Sequence, residues 1–487
     1  MKKWFAASLA LLFVLLTALP AGAAPYRTYT YVNASDGVYA VDAPAAYIPG
    51  ETFDARRLGV TLEQPEDLYC DENGCFYIAD KGGSAVYAFD RDWHLRYTVA
   101  TFDNGGEEDS LSGPEGLCVD SAGRLWIADT ENSRLLCFDQ NGRLQKELGT
   151  PVSPLLGDEF SFFPSKLVVD EVDRIFVVCR NVYDGLVQLT VDGQFVGFVG
   201  SNFATSNWYE QFWQSIMTEE QRQKRLAFIA MEYANIALDR SGFLYVVTAV
   251  SDVTDPIRRL NPSGGDVLIR NAVNGIKSVC GDLVTGDGIL KSSIVDIAEG
   301  DTGIYYALDA ARGRVFAYDE DGNMLFVFGG INTYQQGTFL QPCSLVIRDE
   351  VVYVLDRDAG SVTAFTPTAY AETIYRAVRS YRQSDYENSL LLWEDLLQKN
   401  GNFDLAYDKA GLALYRMGQY RQAMDRFSAA NDRENYSLAM NKYRKEWIDE
   451  HFTLCAAAAG GLVVLVAAAR LFARRRKSRG ERSNGNG

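Results

Sequence analysis

Between Pro65 and Phe365 the sequence repeats one grammar, and that repetition limits the fold more than any other feature. PEDLYCDENGCFYIADKGGSAVYAFD runs from Pro65, and PEGLCVDSAGRLWIADTENSRLLCFD runs from Pro114, 49 residues later. PSKLVVDEVDRIFVVCRNVYDGLVQLTVDG follows from Pro164, with weaker copies from Asn235, Ile294 and Pro342. Each copy holds a short strand, a turn often containing Gly, a β-branched or aromatic strand, an Asp- or Asn-containing turn, and a third strand. Most add a fourth, such as RLQKELG or NMLFVFGG. Four short strands at a spacing of roughly 40–50 residues fit the blades of a β-propeller. One such sheet cannot bury both its faces, and packing blades around an axis does so. Six blades are favoured, spread over residues 24–367. The last copy stops after its third strand, so strands from the mature N-terminus are expected to complete it, and YTYVNASDGVYAVD supplies two. Seven blades are the alternative, because Tyr31-Val32-Asn33 sits one repeat before Ala79-Asp80.

The pattern PEGLCVD–G–LWIADT–N–R–LLCFD–NG resembles the NHL repeat, and more loosely the SMP-30/gluconolactonase-like propellers. The resemblance covers about residues 62–366 and weakens in the copies around Cys179 and Asn235, where the Asp at the strand end is missing. It implies a fold and leaves the activity open. Lactonases of that second group carry a carboxylate and amide metal site at one end of the axis. Aligning the copies puts Glu66, Glu115, Ser165, Ala234, Ser293 and Cys343 at the equivalent mouth. Glu66 and Glu115, on neighbouring blades, have the chemistry to hold a hard cation or to act as an acid/base pair. The plainer reading makes them solvated residues at a water-filled channel, since the rest of that ring offers no carboxylate or amide. No cofactor is expected beyond that optional divalent cation. Asp80, Asp129, Asp309 and Asp356 end the second strand of their copies and are expected to accept backbone N–H bonds in their own turns. The chain has two histidines, His94 and His451, and neither GxSxG nor HExxH, so no catalytic residue is assigned.

Two insertions interrupt the rhythm. The first, about 201–233, is helical by pattern and carries Trp208, Tyr209, Phe212 and Trp213. That dense aromatic group suits a sugar, a peptide or a partner protein, with packing onto the propeller as the rival reading. The second is a Gly-rich loop around Gly281–Gly288, which lacks the Lys of a P-loop.

After Thr366-Pro367 the period changes to 3.6. Residues 411–430 place Gly411, Gly418, Tyr420, Ala423, Phe427 and Ala430 at tetratricopeptide (TPR) positions. Ala377, Ser384, Tyr386, Ser389, Trp393 and Leu396 occupy the same positions 34 residues upstream. This predicts a TPR-like helical domain over 368–451, closed by a helix at about 433–451 with Tyr436, Tyr443 and Trp447 on one side.

The two ends supply an address. Residues 1–23 have a basic start, an apolar stretch and an Ala21-Gly22-Ala23 cleavage site, the three parts of a secretory signal. Residues 453–473 are long and apolar enough to span a bilayer, and a basic tail, 474–487, follows. The expected protein is single-pass in the cell membrane, with the propeller outside and the tail in the cytoplasm. Net charge is −17; the tail from Arg470 contributes +6 and Lys2 and Lys3 contribute +2, so the exported part carries −25. That excess argues against nucleic acid and against broad docking on anionic lipid. The partner is expected to be another protein or a small extracellular ligand. The reading favours an extracytoplasmic binding or scaffold protein, with a metal-dependent lactonase-like hydrolase and a structural spacer as alternatives. Cys70 and Cys75 flank a hairpin turn and have the option of a disulfide; Cys118, Cys137, Cys179 and Cys343 read as buried thiols.

Overall fold

A computed structural model describes residues 24–34, 37–157, 160–200, 232–249, 255–270, 272–273, 276–277, 281–282, 292–332 and 335–483. The chain divides into two compact units. One runs to Arg379 and includes 395–403; the other comprises 380–394 and the chain from Asp404.

The first unit is a six-bladed β-propeller. Blade 1 holds strands Pro65–Cys70, Phe76–Asp80, Ala85–Phe89 and Leu95–Val99. Blades 2 and 3 repeat it from Pro114 to Leu148 and from Pro164 to Val199. Blade 4 has three described strands, Asn235–Leu238, Leu244–Val247 and Ile257–Leu260. Blade 5 runs from Ile294 to Phe328. Blade 6 takes three strands from Pro342–Pro367 and its fourth, Tyr47–Phe53, from the start of the chain. The ring is therefore closed by an N-terminal strand, paired from Pro367↔Tyr47 to Val362↔Phe53. The expected closure by the N-terminal part of the chain is thus met by Tyr47–Phe53, while the two strands read at 29–42 form a separate hairpin of Tyr29–Ala34 with Gly37–Asp42. Tyr29 and Tyr31 of that hairpin donate to Asp282, which also pairs with Arg312 and Arg314.

Alternation within strands builds the core. Each sheet sends one set of side chains to the preceding blade and the other to the following blade. Leu68, Phe76 and Ile78 pack with Val346, Tyr353 and Leu355 of blade 6, while Tyr77 and Ala79 pack with Leu117, Leu125 and Ile127 of blade 2. The same alternation settles the two turn cysteines: Cys70 packs on the blade 6 side and Cys75 on the blade 2 side of their sheet. Both are free thiols, and a bridge between them would need the sheet to change register.

Polar residues shape the turns. Asp120 accepts from the N–H groups of Ala122 (3.0 Å) and Arg124 (2.9 Å), and Asp71, Asp139, Asp170, Asp239 and Asp319 act likewise in their own turns. The strand-end Asp residues have a longer reach than the sequence predicts. Asp80 accepts from Glu63 N (2.9 Å) and Gln64 N (2.7 Å), and Asp356 from Leu340 N (2.6 Å), so each ties the second strand to the segment leading into its blade. Asp309 and Asp356 also bond their own turns, at Ala311 N and Ala359 N.

Strand order fixes two faces. The inner strand begins where the second strand ends, as Pro65↔Asp80 shows, and the fourth strand ends there too. The described ends of the segments joining one blade to the next therefore lie on one face, and the turns around Gly74, Gly123 and Gly142 lie on the other.

Seven helices are described. The short α1 (Ala55–Leu58) precedes blade 1. They continue as α2 (Ala369–Arg382), α3 (Tyr386–Lys399), α4 (Asp404–Arg416), α5 (Tyr420–Ala429), α6 (Arg433–Glu450) and α7 (Phe452–Ser483). Helix α2 is integrated into the propeller unit up to Arg379. The Tyr375 hydroxyl lies 2.5 Å from that of Tyr47 and 2.7 Å from that of Tyr306, and Thr368 Oγ1 donates to Ala45 O (2.7 Å). The propeller unit thus extends past residue 367.

The 34-residue offset in the sequence recurs in three dimensions. Ser384 and Gly418 both take left-handed turns, at φ 62° and 76°. Tyr386 packs on Tyr381, and Tyr420 on Tyr415, each with ring centroids 5.3 Å apart. Ala377, Ser389, Trp393, Leu396, Ala423, Phe427 and Ala430 are buried. A Cβ on Gly411 would come within 2.7 Å of the Phe427 ring, so this crossing requires glycine. Within α7, Phe452–Ala473 has mean hydropathy 2.2 and no buried share, and is long and apolar enough to cross a membrane.

Candidate functional site

The inner strands have no hydrogen-bonding neighbour on the axis side, so their inward N–H groups need other acceptors. Each blade supplies a residue at the same level, opposite the penultimate residue of its second strand in five blades and opposite the last, Val247, in blade 4. These are Asp67, Gly116, Lys166, Asn235, Asp296 and Ser344, paired with Ala79, Ala128, Val178, Val247, Leu308 and Leu355. Asp67 Oδ2 accepts from Leu117 N (2.9 Å), Asp296 Oδ2 from Leu345 N (2.6 Å), and Ser344 Oγ from Leu68 N (3.2 Å). In each case one blade satisfies the backbone of the next.

The same side chains close on one another across the axis. Lys166 Nζ lies 2.7 Å from Asp67 Oδ1 and donates to Glu66 O (2.8 Å). Asp296 also accepts from Asn235 Nδ2 (2.6 Å), Ser344 Oγ (2.8 Å) and Ile297 N (2.7 Å). The sixth position is Gly116, where a Cβ would overlap the Ser165 carbonyl oxygen. All five polar members are buried. Burial pushes the Asp296 carboxyl up to about 7, with Lys166 opposing and Asp67 reinforcing the shift. Burial also works against the Lys166 charge, yet Asp67 and Asp296 hold its pKa above the ordinary value. The axis is therefore plugged by a polar cluster.

The sequence-predicted mouth residues sit one position earlier, at a β-bulge in the inner strand. The register shifts between Pro65 and Asp67, Pro114 and Gly116, Pro164 and Lys166, and Pro342 and Ser344. Glu66, Glu115, Ser165 and Cys343 are the extra residues. Ser293 is not equivalent. In blade 5 the bulge falls between Ile294 and Asp296, so Val295 holds that place, and Ser293 precedes the strand and donates to Ala249 O (2.6 Å).

Both carboxylates are paired with protein cations, Glu115 buried and Glu66 partly exposed. Glu115 is buried and pairs with Lys81 of blade 1 (2.9 Å) and with Arg180 of blade 3. Glu66 pairs with Arg357 of blade 6. Each cation directly follows the second strand of its blade, so these pairs cross the gaps between blades 6, 1, 2 and 3. Glu232 lies in the same region, and burial raises its carboxyl pKa, with the Asn181 N–H and Arg180 opposing and Glu115 adding to the shift. A divalent ion would have to displace protein cations from both glutamates, so this donor set does not fit one. A further group of potential metal donors, Asp90, Asp92 and His94, lies in a turn on the opposite face. There Asp90 Oδ1 is occupied by the N–H groups of Asp92 (2.9 Å) and His94 (2.8 Å).

Trp208, Tyr209, Phe212 and Trp213 lie outside the described residues. Their insertion leaves blade 3 after Gly200 and rejoins at Glu232, so both its ends are on the inter-blade face. The axial ring escaped the sequence reading, although its column, D/G/K/N/D/S, is polar in five of six copies.

The NHL repeat family matches residues 111–138, within blade 2 and the segment leading into it. No curated protein matches the chain. Among solved structures, the chain is similar to a streptogramin B lyase, with 12% identity, 70% of this chain and 93% of that chain covered, and a TM-score of 0.41. It is also similar to the virginiamycin B lyase of Staphylococcus aureus (11% identity, 70% and 95% covered, TM-score 0.40). A gluconolactonase from Xanthomonas campestris shares 14% identity, with 71% and 100% covered and a TM-score of 0.38.

Proposed function

We propose that this protein is a membrane-tethered binding or scaffold module whose recognition surface is the inter-blade face of the propeller. The observation that carries the reading is the state of the mouth. Its carboxylates are already engaged by Lys81, Arg180 and Arg357, above an axis closed by the Asp67–Lys166–Asp296 cluster. Such a surface suits recognition by charge and shape more than metal-assisted hydrolysis. The propeller sits outside the cell and α7 anchors it, with Arg474-Arg475-Arg476-Lys477 in the cytoplasm; the basic bias of that tail supports this orientation. The helical hairpins act as a TPR pair for protein contact, supported by their 34-residue repeat of turn and ring geometry. The proposal extends to an accessory role in a membrane transport or envelope complex.

A lactonase-like hydrolase is the second reading. It is favoured by Glu232, a carboxyl of raised pKa beside Glu115 at the mouth. The binding reading is tested by affinity capture from solubilised membranes, using the intact chain and an Arg180→Ala, Arg357→Ala double variant. Partners retained by the wild type and lost from a variant of equal fold support the reading. An identical set of partners moves recognition off the mouth.

A further inference from the structure

Helix α6 starts in contact with its neighbours and ends without them. Asp432 caps its start by accepting from Asn435 N (2.9 Å), and Ala439 is buried in the small core with Leu414, Ala423 and Phe427. Beyond Ala439 exposure rises: Trp447 is 42% and Ile448 41% exposed. The other described tryptophans, Trp93, Trp126 and Trp393, are buried. Trp447 and Ile448 are thus an exposed apolar pair leading straight into the exposed apolar residues Phe452 and Leu454, a continuous patch rather than a lone side chain.

His451 N donates to Trp447 O (3.0 Å) and Cys455 N to His451 O (2.9 Å), so hydrogen bonding runs through the junction of α6 and α7. Trp447 is five residues before Phe452, about 7.5 Å along a helix. The headgroup layer on each side of a hydrocarbon core is about 5–8 Å thick. Trp447 therefore falls at the depth where an amphipathic ring is most stable, its indole body against lipid and its N–H toward water. The ring is also held in place: it stacks on His451 with centroids 4.6 Å apart and planes at 15°. Lys442, Arg444 and Lys445, two to five residues before Trp447, are exposed, as are the acidic Glu446, Asp449 and Glu450 around it, so the segment carries mixed charge at the headgroup level.

We propose that Trp447, with Ile448 beside it, lies in the headgroup layer of the bilayer and sets the depth at which α7 crosses. This rests on the membrane-crossing reading of α7. The test uses the full chain in phosphatidylcholine vesicles, with lipids brominated either near the headgroup or near the chain end. Trp emission is compared between wild type and Trp447→Phe, whose other tryptophans are common to both. The expected result is shallow-bromine quenching that is present in the wild type and lost in the variant. Equal quenching of both proteins, or quenching of Trp447 by the deep bromines, overturns the proposal. Alkaline carbonate extraction separates the two layers of the argument. A chain stripped from the vesicles overturns the crossing and the proposal together; a chain retained without the quenching difference overturns the proposal alone.

Discussion

Asp296 shows how one residue carries the closure of the axis. Four donors converge on its carboxyl, from blades 4, 5 and 6. Because burial raises its pKa to about 7, the folded protein binds a proton there at pH values where the unfolded chain, near 4, does not. Its contribution to stability is present below about pH 4 and is lost as pH rises through about 7. Urea denaturation of the wild type and of Asp296→Asn at pH 5 and pH 8 measures this. The wild type should lose stability between the two values by more than the variant does, and equal losses would contradict it. The sequence held a signal for this ring, but blade 5 begins with Ile294 where blades 1, 2, 3 and 6 begin with Pro. Without that anchor the copies align two residues out, and Ser293 takes the place of Val295. Trp93 was equally hidden. It takes φ 67° at a turn position where Gly142, Gly193, Gly264 and Gly322 sit in other blades. Its stacking on Phe76, with centroids 4.0 Å apart, offsets a backbone strain of about 1–3 kcal/mol.

At the scale of elements, the closing strand matters most. Tyr47–Phe53 reads YIPGETF, and its Pro and Gly disguise it as a loop. An outermost strand tolerates Pro49, because its outer edge has no ladder partner that needs an N–H. The strands of blades 1, 2 and 5 were legible because apolar runs alternate with Asp and Gly turns over many residues. The closing strand was not, because its pairing partner is more than 300 residues away and leaves no local pattern. Burying Tyr47 and Phe53 contributes about 1.5–3 kcal/mol each. A chain lacking residues 24–53 should melt at a markedly lower temperature and aggregate through the bared Ser361–Pro367 edge. Thermal melting with gel filtration reads both effects, and an unchanged, monodisperse profile would argue against closure by this strand. Helix α2 makes the complementary point: its 3.6 period was legible, but its hydroxyl cluster with Tyr47 and Tyr306 was not, since those contacts join residues far apart in sequence.

For the whole molecule, the mouth carboxylates decide between a site that takes a metal and a surface that ties blades together. Glu66 and Glu115 stood out in the sequence as an isolated acidic pair; the cations that meet them come from other blades and were invisible along the chain. In the folded ring they bind blades 6, 1, 2 and 3 together. Glu115 is buried but its partners Lys81 and Arg180 are 21% and 46% exposed, so Glu115→Gln should lower the melting temperature by a few degrees, less than the loss of a fully buried pair would. The most direct measurement is the melting temperature of the full chain in detergent, with and without millimolar calcium or zinc, alongside a lactone hydrolysis assay. The account predicts no metal-dependent shift in the wild type, no hydrolysis, and destabilisation by Glu115→Gln whether or not metal is present. A metal-induced rise in the wild type that vanishes in both Glu66→Gln and Glu115→Gln would contradict it.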